Sequence, residues 1–352
     1  MGMVERAYPE RTSFITEALI NCRRYAMLPK ILVRRLVAFL CVCGLALAGS
    51  VFAQNYPSKP VRLIVGFPPG GPVDVVARIF ADKLGTMWSQ TVLVENRAGA
   101  TGNIATEFVA KSAPDGYTIL FTANTHVING ALYSKLPYDP IRDFTPISQV
   151  AYYSLVLVAH PSVPAGTLQE LIALAKANPG KLTFNSAGSG TPTHLTAELF
   201  RIAAGIDFLH VPYKGGAAST TDLLAGHVQL AFSNPVSALP HVKSGRLRAL
   251  VTTGAKRSPI FPDIPTMAES GYPGLEAGTW HAFLGPAGLP RDIVSKLATD
   301  VVAVLQMADV RERLSATGLE PIGTTPEQLA AIMRADLEKW TGVIRAANLK
   351  PD

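Results

Sequence analysis

One stretch constrains this chain more than any other: Val61 to Asp74, reading VRLIVGFPPGGPVD. A run rich in β-branched residues (Val61, Leu63, Ile64, Val65) breaks into Pro-Pro-Gly-Gly just before an amphipathic helical pattern begins. Near-continuous apolar runs of this kind suit a parallel strand buried on both faces. The expected order is therefore strand, loop, helix. Gly70 and Gly71 lack a Cβ, so the backbone can turn sharply and bring its N–H groups close to a ligand. The helix starting near Pro72 adds the partial positive charge of its N-terminus. Such a loop suits a carboxylate or a phosphate; the plain alternative is a tight turn that binds nothing.

The fold is expected to begin after a leader. From Met27 to Ala53 the order is three cations (Lys30, Arg34, Arg35), an apolar core from Leu36 to Ala48, then small residues at Val51 and Ala53, the order of a secretory signal peptide. That core is short for a membrane span. Residues 1–26 read as an extension ahead of an initiator at Met27. Cys22, Cys41 and Cys43 all precede Gln54, so the expected mature chain has no disulfide and no lipid-anchor cysteine. Seven of the 32 Lys+Arg and three of the 26 Asp+Glu also precede it, leaving 25 basic and 23 acidic residues and a formal charge of +2. The basic character thus belongs largely to the leader, and nucleic-acid binding loses its support. From Gln54 onward the chain is long enough for two units of ordinary size.

Past the opening loop, helical spacing at Val76, Ile79, Phe80 and Leu84, a strand at Thr91–Val94, a turn bracketed by Gly99 and Gly102, a helix to about Lys111 and a strand at Tyr117–Thr122 make β-α-β-α-β. That alternation belongs to a parallel sheet with right-handed crossovers. Residues 124–146 read as irregular, and YYSLVLVA (152–159) as one strand. Thr167 with Glu170 has capping-box spacing. A second α/β alternation then runs through strands at Leu182–Asn185, Phe208–Val211, Gln229–Ser233 and Leu247–Thr252. GTWHAFLG (278–285) reads as a returning strand, before helices at about 291–316 and 326–346. The excursion implies hinges near 150–158 and 276–285 and an α/β architecture of two lobes facing a cleft: lobe 1 from residues 54–154 and 281–352, lobe 2 from 155–280.

In open α/β sheets ligands bind at the carboxyl ends of strands. Three loops qualify: Phe67–Asp74, Ser186–His194 and Pro212–Gly216. The second combines hydroxyls (Ser186, Ser189, Thr191, Thr193), bare glycines (Gly188, Gly190) and a helix opened by Pro192, all donor chemistry suited to an anion. Asp74 either stabilises its helix terminus or turns a donor toward a ligand, and His194 caps, packs or binds. Phe67, Tyr213 and Trp280 are candidate apolar walls or core residues. GSGTPT lacks the third glycine of a dinucleotide loop, AGSGT lacks the first glycine of a nucleophile elbow, and the histidines show no metal-ligand spacing. A secreted hydrolase using Ser186 or Ser189 stays open as an alternative, as does an orphan ligand sensor; neither a cofactor nor a metal is expected.

The motifs YPSKPVRLIVGFPPGGPVDVVAR (56–78), VENRAGATGN (94–103), APDGYT (113–118), NSAGSGTPTHLTAELF (185–200) and HVPYKGGAASTTDLLAGHVQLAF (210–232) together resemble the Bug-type periplasmic solute receptors, the substrate-binding components of tripartite tricarboxylate transporters. The resemblance implies a Venus-flytrap periplasmic-binding-protein fold with two crossover segments, closing on a small organic carboxylate and delivering it to an inner-membrane permease. It also implies a monomeric, non-enzymatic receptor in the periplasm. Its two pincer loops map here onto Phe67, Pro68, Gly70, Gly71 and Asp74, and onto Ser186, Ala187, Gly188, Ser189, Gly190, Thr191 and His194. Thr122, Asn124 and Tyr213 are further expected contacts. Relatives commonly carry an acid and Asn where this chain has Ser233-Asn234, which argues against an amino-acid ligand and for a carboxylate with an uncharged tail.

Overall fold

A computed structural model describes residues 56–213 and 215–350. The leader expected at 1–53 lies outside the described residues. From Pro57 onward the chain forms one compact unit, built around two sheets.

The first sheet begins with strand β1 (Val61–Val65), β2 (Val92–Asn96) and β3 (Thr118–Ala123), all parallel with β1 central. Ile64, Val65 and Leu63 are buried, as a strand covered on both faces demands. Helix α1 (Pro72–Trp88) covers one face: Phe80 meets Phe121 and Phe283 with ring centroids 6.4 and 5.3 Å apart. Helices α2 (Asn103–Ala110) and α3 (Thr125–Leu132) cover the other with Val109 and Val127, joined by Leu329 and Met333 from the carboxyl-terminal helix α10 (Pro326–Ala346). Two long strands complete the sheet. β4 (Phe144–Ser154) and β10 (Gly278–Pro286) pair antiparallel with each other, and β10 also pairs antiparallel with β3. The edges are β11 (Glu320–Pro321) beside β4 and β2 beside β1.

The second sheet has the order β7-β6-β8-β5-β9, from β5 (Val156–Ala159), β6 (Thr183–Ser186), β7 (Leu209–Pro212), β8 (Leu230–Ser233) and β9 (Arg248–Thr252). β6 lies parallel to β7 and β8, whereas β5 runs antiparallel to its neighbours β8 and β9. Helices α4 (Leu168–Ala177) and α5 (Pro192–Ala204) pack on one face, and α6 (Gly216–Leu224) and α7 (Pro235–Lys243) on the other. Thr167 caps α4 by accepting the Glu170 N–H, but the Glu170 carboxylate reaches the Gly166 N–H rather than closing a reciprocal box.

The chain passes between sheets twice. Ser154 ends β4 in the first sheet, Leu155 is the link, and Val156 begins β5 in the second. Return comes at Gly278, which pairs with Ser154, so residues 278–280 belong to the first sheet and not to the second lobe expected from sequence. Leu195 of α5 joins Ile128 and Leu132 of α3 and Trp340, Val343 and Ile344 of α10 in one apolar cluster that spans the two sheets.

Three further elements depart from the sequence expectation. The segment read as irregular contains α3, whose apolar pattern is masked by buried polar residues His126 and Asn129; these find Pro140 O and Asn103 Oδ1 as partners. The strand read as 152–159 is instead two strands, since β4 starts at Phe144. The helix read as 291–316 divides into α8 (Arg291–Gln306) and α9 (Ala308–Ala316) at Met307, which is extended at φ −68°, ψ 130°. No Gly or Pro marks that break. The new N-terminus is favoured by Asp309 in its first turn, itself paired with Lys83 of α1 at 2.6 Å.

Phe121 is fully buried among Phe80, Phe283 and His281 at the heart of the first sheet. Phe121→Ala is expected to cost about 3–5 kcal/mol, read as a lower urea midpoint at unchanged slope; a loss under about 1 kcal/mol would contradict this packing.

Candidate functional site: two matched loops facing a cleft

The loops after β1 and β6 adopt the same backbone device. In the first, Gly70 is left-handed at φ 78°, Gly71 is an extended N-cap at φ −72°, ψ 165°, and Pro72 opens the helix. In the second, Gly190 is left-handed at φ 71°, Thr191 is an extended N-cap at φ −73°, ψ 159°, and Pro192 opens the helix. Only glycine takes such a φ without strain. Each of these glycines donates its N–H to the side chain four residues on: Gly70 to Asp74 Oδ2 at 2.8 Å, Gly190 to His194 Nδ1 at 3.0 Å. The staple holds the loop clear of the helix end. Neither helix has a side-chain N-cap, so its first-turn donors face outward with the positive end of the dipole.

This geometry assigns Asp74 and His194 to the shaping of the loops. The Asp74 carboxylate also accepts from Arg78 Nε at 2.9 Å and Asn96 Nδ2 at 2.8 Å. Burial pushes its pKa up, but the hydrogen bonds from Arg78, Gly70 and Asn96 outweigh that and leave it below the ordinary value. His194 must keep Nδ1 unprotonated to accept from Gly190, which places its proton on Nε2. Burial, with the stacked His210 ring 3.8 Å away as a second cause, lowers its pKa to about 3. The N–H groups of Gly70 and Gly190 are thus committed inside the loops. The donors left for an anion come from the helix first turns behind Gly71 and Thr191.

The second loop is braced internally. Thr191 Oγ1 donates to Gly188 O at 2.6 Å, and Thr193 Oγ1 accepts the Ala187 N–H at 3.3 Å. Ser186 Oγ lies 2.7 Å from His210 Nε2 and 3.2 Å from the Gly188 N–H, and is only 2% exposed. Its burial, not its histidine contact, keeps this hydroxyl out of the cavity wall. Ser189 is half-buried, and no hydrogen bond joins it to a histidine among the described residues. Phe67 is half-buried against the neighbouring loop at Gly102 and gives its carbonyl to Asn96; Pro68 accepts the Gly71 N–H.

Between the loops lies a cavity of about 910 Å3. Gly70, Pro72 and Val75 line it from the first lobe, Ala187 and Thr193 from the second loop, with Gly216, Ala217, Ser219, Thr220 and Thr221 of α6, Ser233, Asn234 and the crossover residues Tyr153 and Leu155. Among the described residues its wall contains no Asp, Glu, Lys or Arg. A second concavity of about 990 Å3, between α8 and the start of α10, shares no residue with either loop. The cleft is the better site because two uncapped helix ends adjoin it.

The remaining sequence candidates divide between the cavity wall and the core. Asn234 lines the cavity, but its Oδ1 caps α7 through Val236 and Ser237. Tyr213 turns its hydroxyl onto Asp222 at 2.6 Å; burial, then that carboxylate, pushes the phenol up to about 12. Thr122 is buried at the end of β3. Asn124 is buried too, with Nδ2 donating to Gly278 O at 2.8 Å and Oδ1 unpartnered. Trp280 is core: its indole N–H meets Asp336 of α10 at 2.7 Å, outside the cavity. Sequence reasoning missed Tyr153 and Leu155 as wall residues. Thr193 was in view as a hydroxyl of the second loop, but nothing local distinguishes Leu155 from a core strand residue.

A model of the tripartite tricarboxylate transporter family receptor matches residues 76–349. The chain belongs to that family. BugT of Bordetella pertussis is 38% identical over 314 residues, covering 89% of this chain and 96% of its own. R. palustris Rpa4515, solved with adipate, is 35% identical with a TM-score of 0.74, covering 85% of this chain and all of that one. MatC from Rhodopseudomonas palustris, with bound malate, is 31% identical with a TM-score of 0.70 over 82% of this chain. This protein is accordingly a two-lobed periplasmic solute-binding receptor and not an enzyme, which removes the hydrolase alternative.

Three buried histidines, His126, His194 and His281, have pKa values lowered chiefly by burial, to about 4, 3 and 4. Below the unfolded histidine value of about 6.5 the unfolded chain takes up protons that the folded one refuses. Stability is thus complete above about pH 6.5 and falls toward pH 4, by up to about 1.4 kcal/mol per histidine per pH unit. Urea midpoints measured from pH 7 to 4.5 check this; a flat profile would contradict it.

Proposed function

We propose that the cleft closes on a small organic carboxylate with an uncharged tail, and that the loaded receptor, acting as a monomer, hands it to an inner-membrane permease. The carrying observation is the pairing of two uncapped helix N-termini, one per lobe, with a cavity wall whose described residues include no acid, lysine or arginine. Backbone donors at helix ends complement a carboxylate without an arginine, directly or through water. Phe67, Pro68, Gly70, Gly71 and Asp74 shape one end, and Ser186, Ala187, Gly188, Ser189, Gly190, Thr191 and His194 the other. A tail bearing an ammonium or a second carboxylate would lose its hydration and gain no opposite charge, a cost of several kcal/mol. Ser233 and Asn234 supply no charge at that wall, and the Asn234 oxygen is already engaged as a helix cap. The adipate of Rpa4515 and the malate of MatC support the head-group assignment; the tail preference rests on the wall.

We further infer export by the leader at residues 27–53, with no lipid anchor.

A thermal-shift series tests the reading, since a ligand that binds only the folded state raises its apparent stability. Hexanoate and benzoate are expected to raise Tm more than adipate, malate or aspartate. A larger shift with the dicarboxylates overturns the tail preference while keeping the carboxylate head, and no shift with any of them overturns both. Gly71→Val and Gly188→Val crowd the loop backbone against Pro68 O and Tyr213 O, each 3.3 Å from a built Cβ. Both are expected to weaken binding of the best ligand about a hundredfold or more, roughly 2.7 kcal/mol, with the chain still folded by circular dichroism. Unchanged affinity in both would remove the loops from the site. Co-purification with a permease from membrane extract is expected; recovery of a signalling protein alone would favour a sensor.

A further inference from the structure

We infer that Thr253 is the hinge pin, a positioning residue that couples the two crossovers and thereby ties occupancy of the cleft to lobe closure. Thr253 is fully buried just past the end of β9, between the two places where the chain changes sheet. Its backbone N–H donates to Leu155 O at 2.9 Å, and its carbonyl accepts from the Ala277 N–H at 3.0 Å. Its side chain repeats both connections. Oγ1 accepts the Leu155 N–H at 2.8 Å and lies 2.6 Å from Ala277 O and 3.2 Å from Leu155 O. One hydroxyl has one proton, so the shorter contact identifies Ala277 O as the acceptor. A single oxygen therefore links the outgoing crossover to the returning one.

Those crossovers adjoin the cleft. Leu155 is both the link between sheets and part of the cavity wall, with Tyr153 beside it. The neighbouring Gly278 carbonyl is held from the first lobe by Asn124. Lobe closure requires φ/ψ changes at a few terminal residues of the crossing strands. With Thr253 in place, Leu155 and Ala277 turn together about one point, so contact with a ligand at Leu155 is felt at both crossings. Removing the hydroxyl strands a buried N–H at Leu155 and unties Ala277 O. This inference goes beyond the ligand assignment, and its test needs no ligand.

The test compares wild type, Thr253→Val and Thr253→Ser in the chain carrying Cys22→Ser, Cys41→Ser and Cys43→Ser, with spin labels at Leu93→Cys on β2 and Leu209→Cys on β7, which are 54% and 58% exposed. Thr253→Val is expected to broaden the interlobe distance distribution and to speed hydrogen exchange at the Leu155 amide about tenfold. Amides at Ile64 and Val158 inside the sheets should be unchanged, and Thr253→Ser should match wild type. An unaltered distribution, or acceleration shared equally by the sheet amides, overturns the pin. Should Thr253→Val not fold, wild-type exchange decides: a common opening rate for the Leu155, Thr253 and Ala277 amides supports it, and independent rates refute it.

Discussion

The arrangement rests on a hydrogen bond made twice, from a left-handed glycine N–H to a side chain four residues later. Asp74 accepts it in one lobe and His194 in the other. A helix capped in the usual way spends its first donors on its own N-cap side chain. Here the staple satisfies the loop from inside the helix, Pro occupies the first helical position where no N–H is needed, and the remaining donors stay open toward the cleft. The two lobes reach the same backbone with different chemistry. An ionised carboxylate kept below its usual pKa and an imidazole kept neutral by burial are both acceptors at neutral pH.

Around these loops the molecule separates recognition of charge from recognition of shape. Three acids on the loops' helices are engaged structurally: Asp74 by Arg78, Glu198 by Arg201, Asp222 by Tyr213. Among the described residues the wall left over has no Asp, Glu, Lys or Arg, with hydroxyls from Thr193, Ser219 and Thr220, the imidazole of His241 and apolar surface from Leu155, Leu224 and Phe232. Selectivity then comes from which buried polar groups a ligand tail leaves unpaired.

The lobes are coupled at two levels. Thr253 joins the crossovers through backbone and hydroxyl, and the apolar cluster of Leu195 with Leu132 and Trp340 joins the helices beside them. Leu132 packs so close to Gly190 that a built Cβ there would fall 2.4 Å from its Cδ2. The same glycine that needs a left-handed φ for its turn thus also needs to lack a side chain for the other lobe to approach.

Much of this was legible in the chain itself. Apolar runs such as Val61–Val65, the Gly-x-Pro openings of two helices and the repeated alternation of strand and helix obey local rules of burial, backbone freedom and capping, and they sufficed for the α/β class, the loops and the two-lobed fold. The helix at Thr125–Leu132, the break at Met307, the antiparallel pairing of β4 with β10 and the core position of Trp280 were decided only in three dimensions. Each depends on a partner distant in sequence: Asn103 and Pro140 for α3, Lys83 for Asp309, Asp336 for Trp280. The roles of Asp74 and His194 belong to the same class, because a polar side chain four residues past a glycine reads equally as ligand contact or as staple. Only folding, which brings its lone pair to the glycine N–H, separates the two.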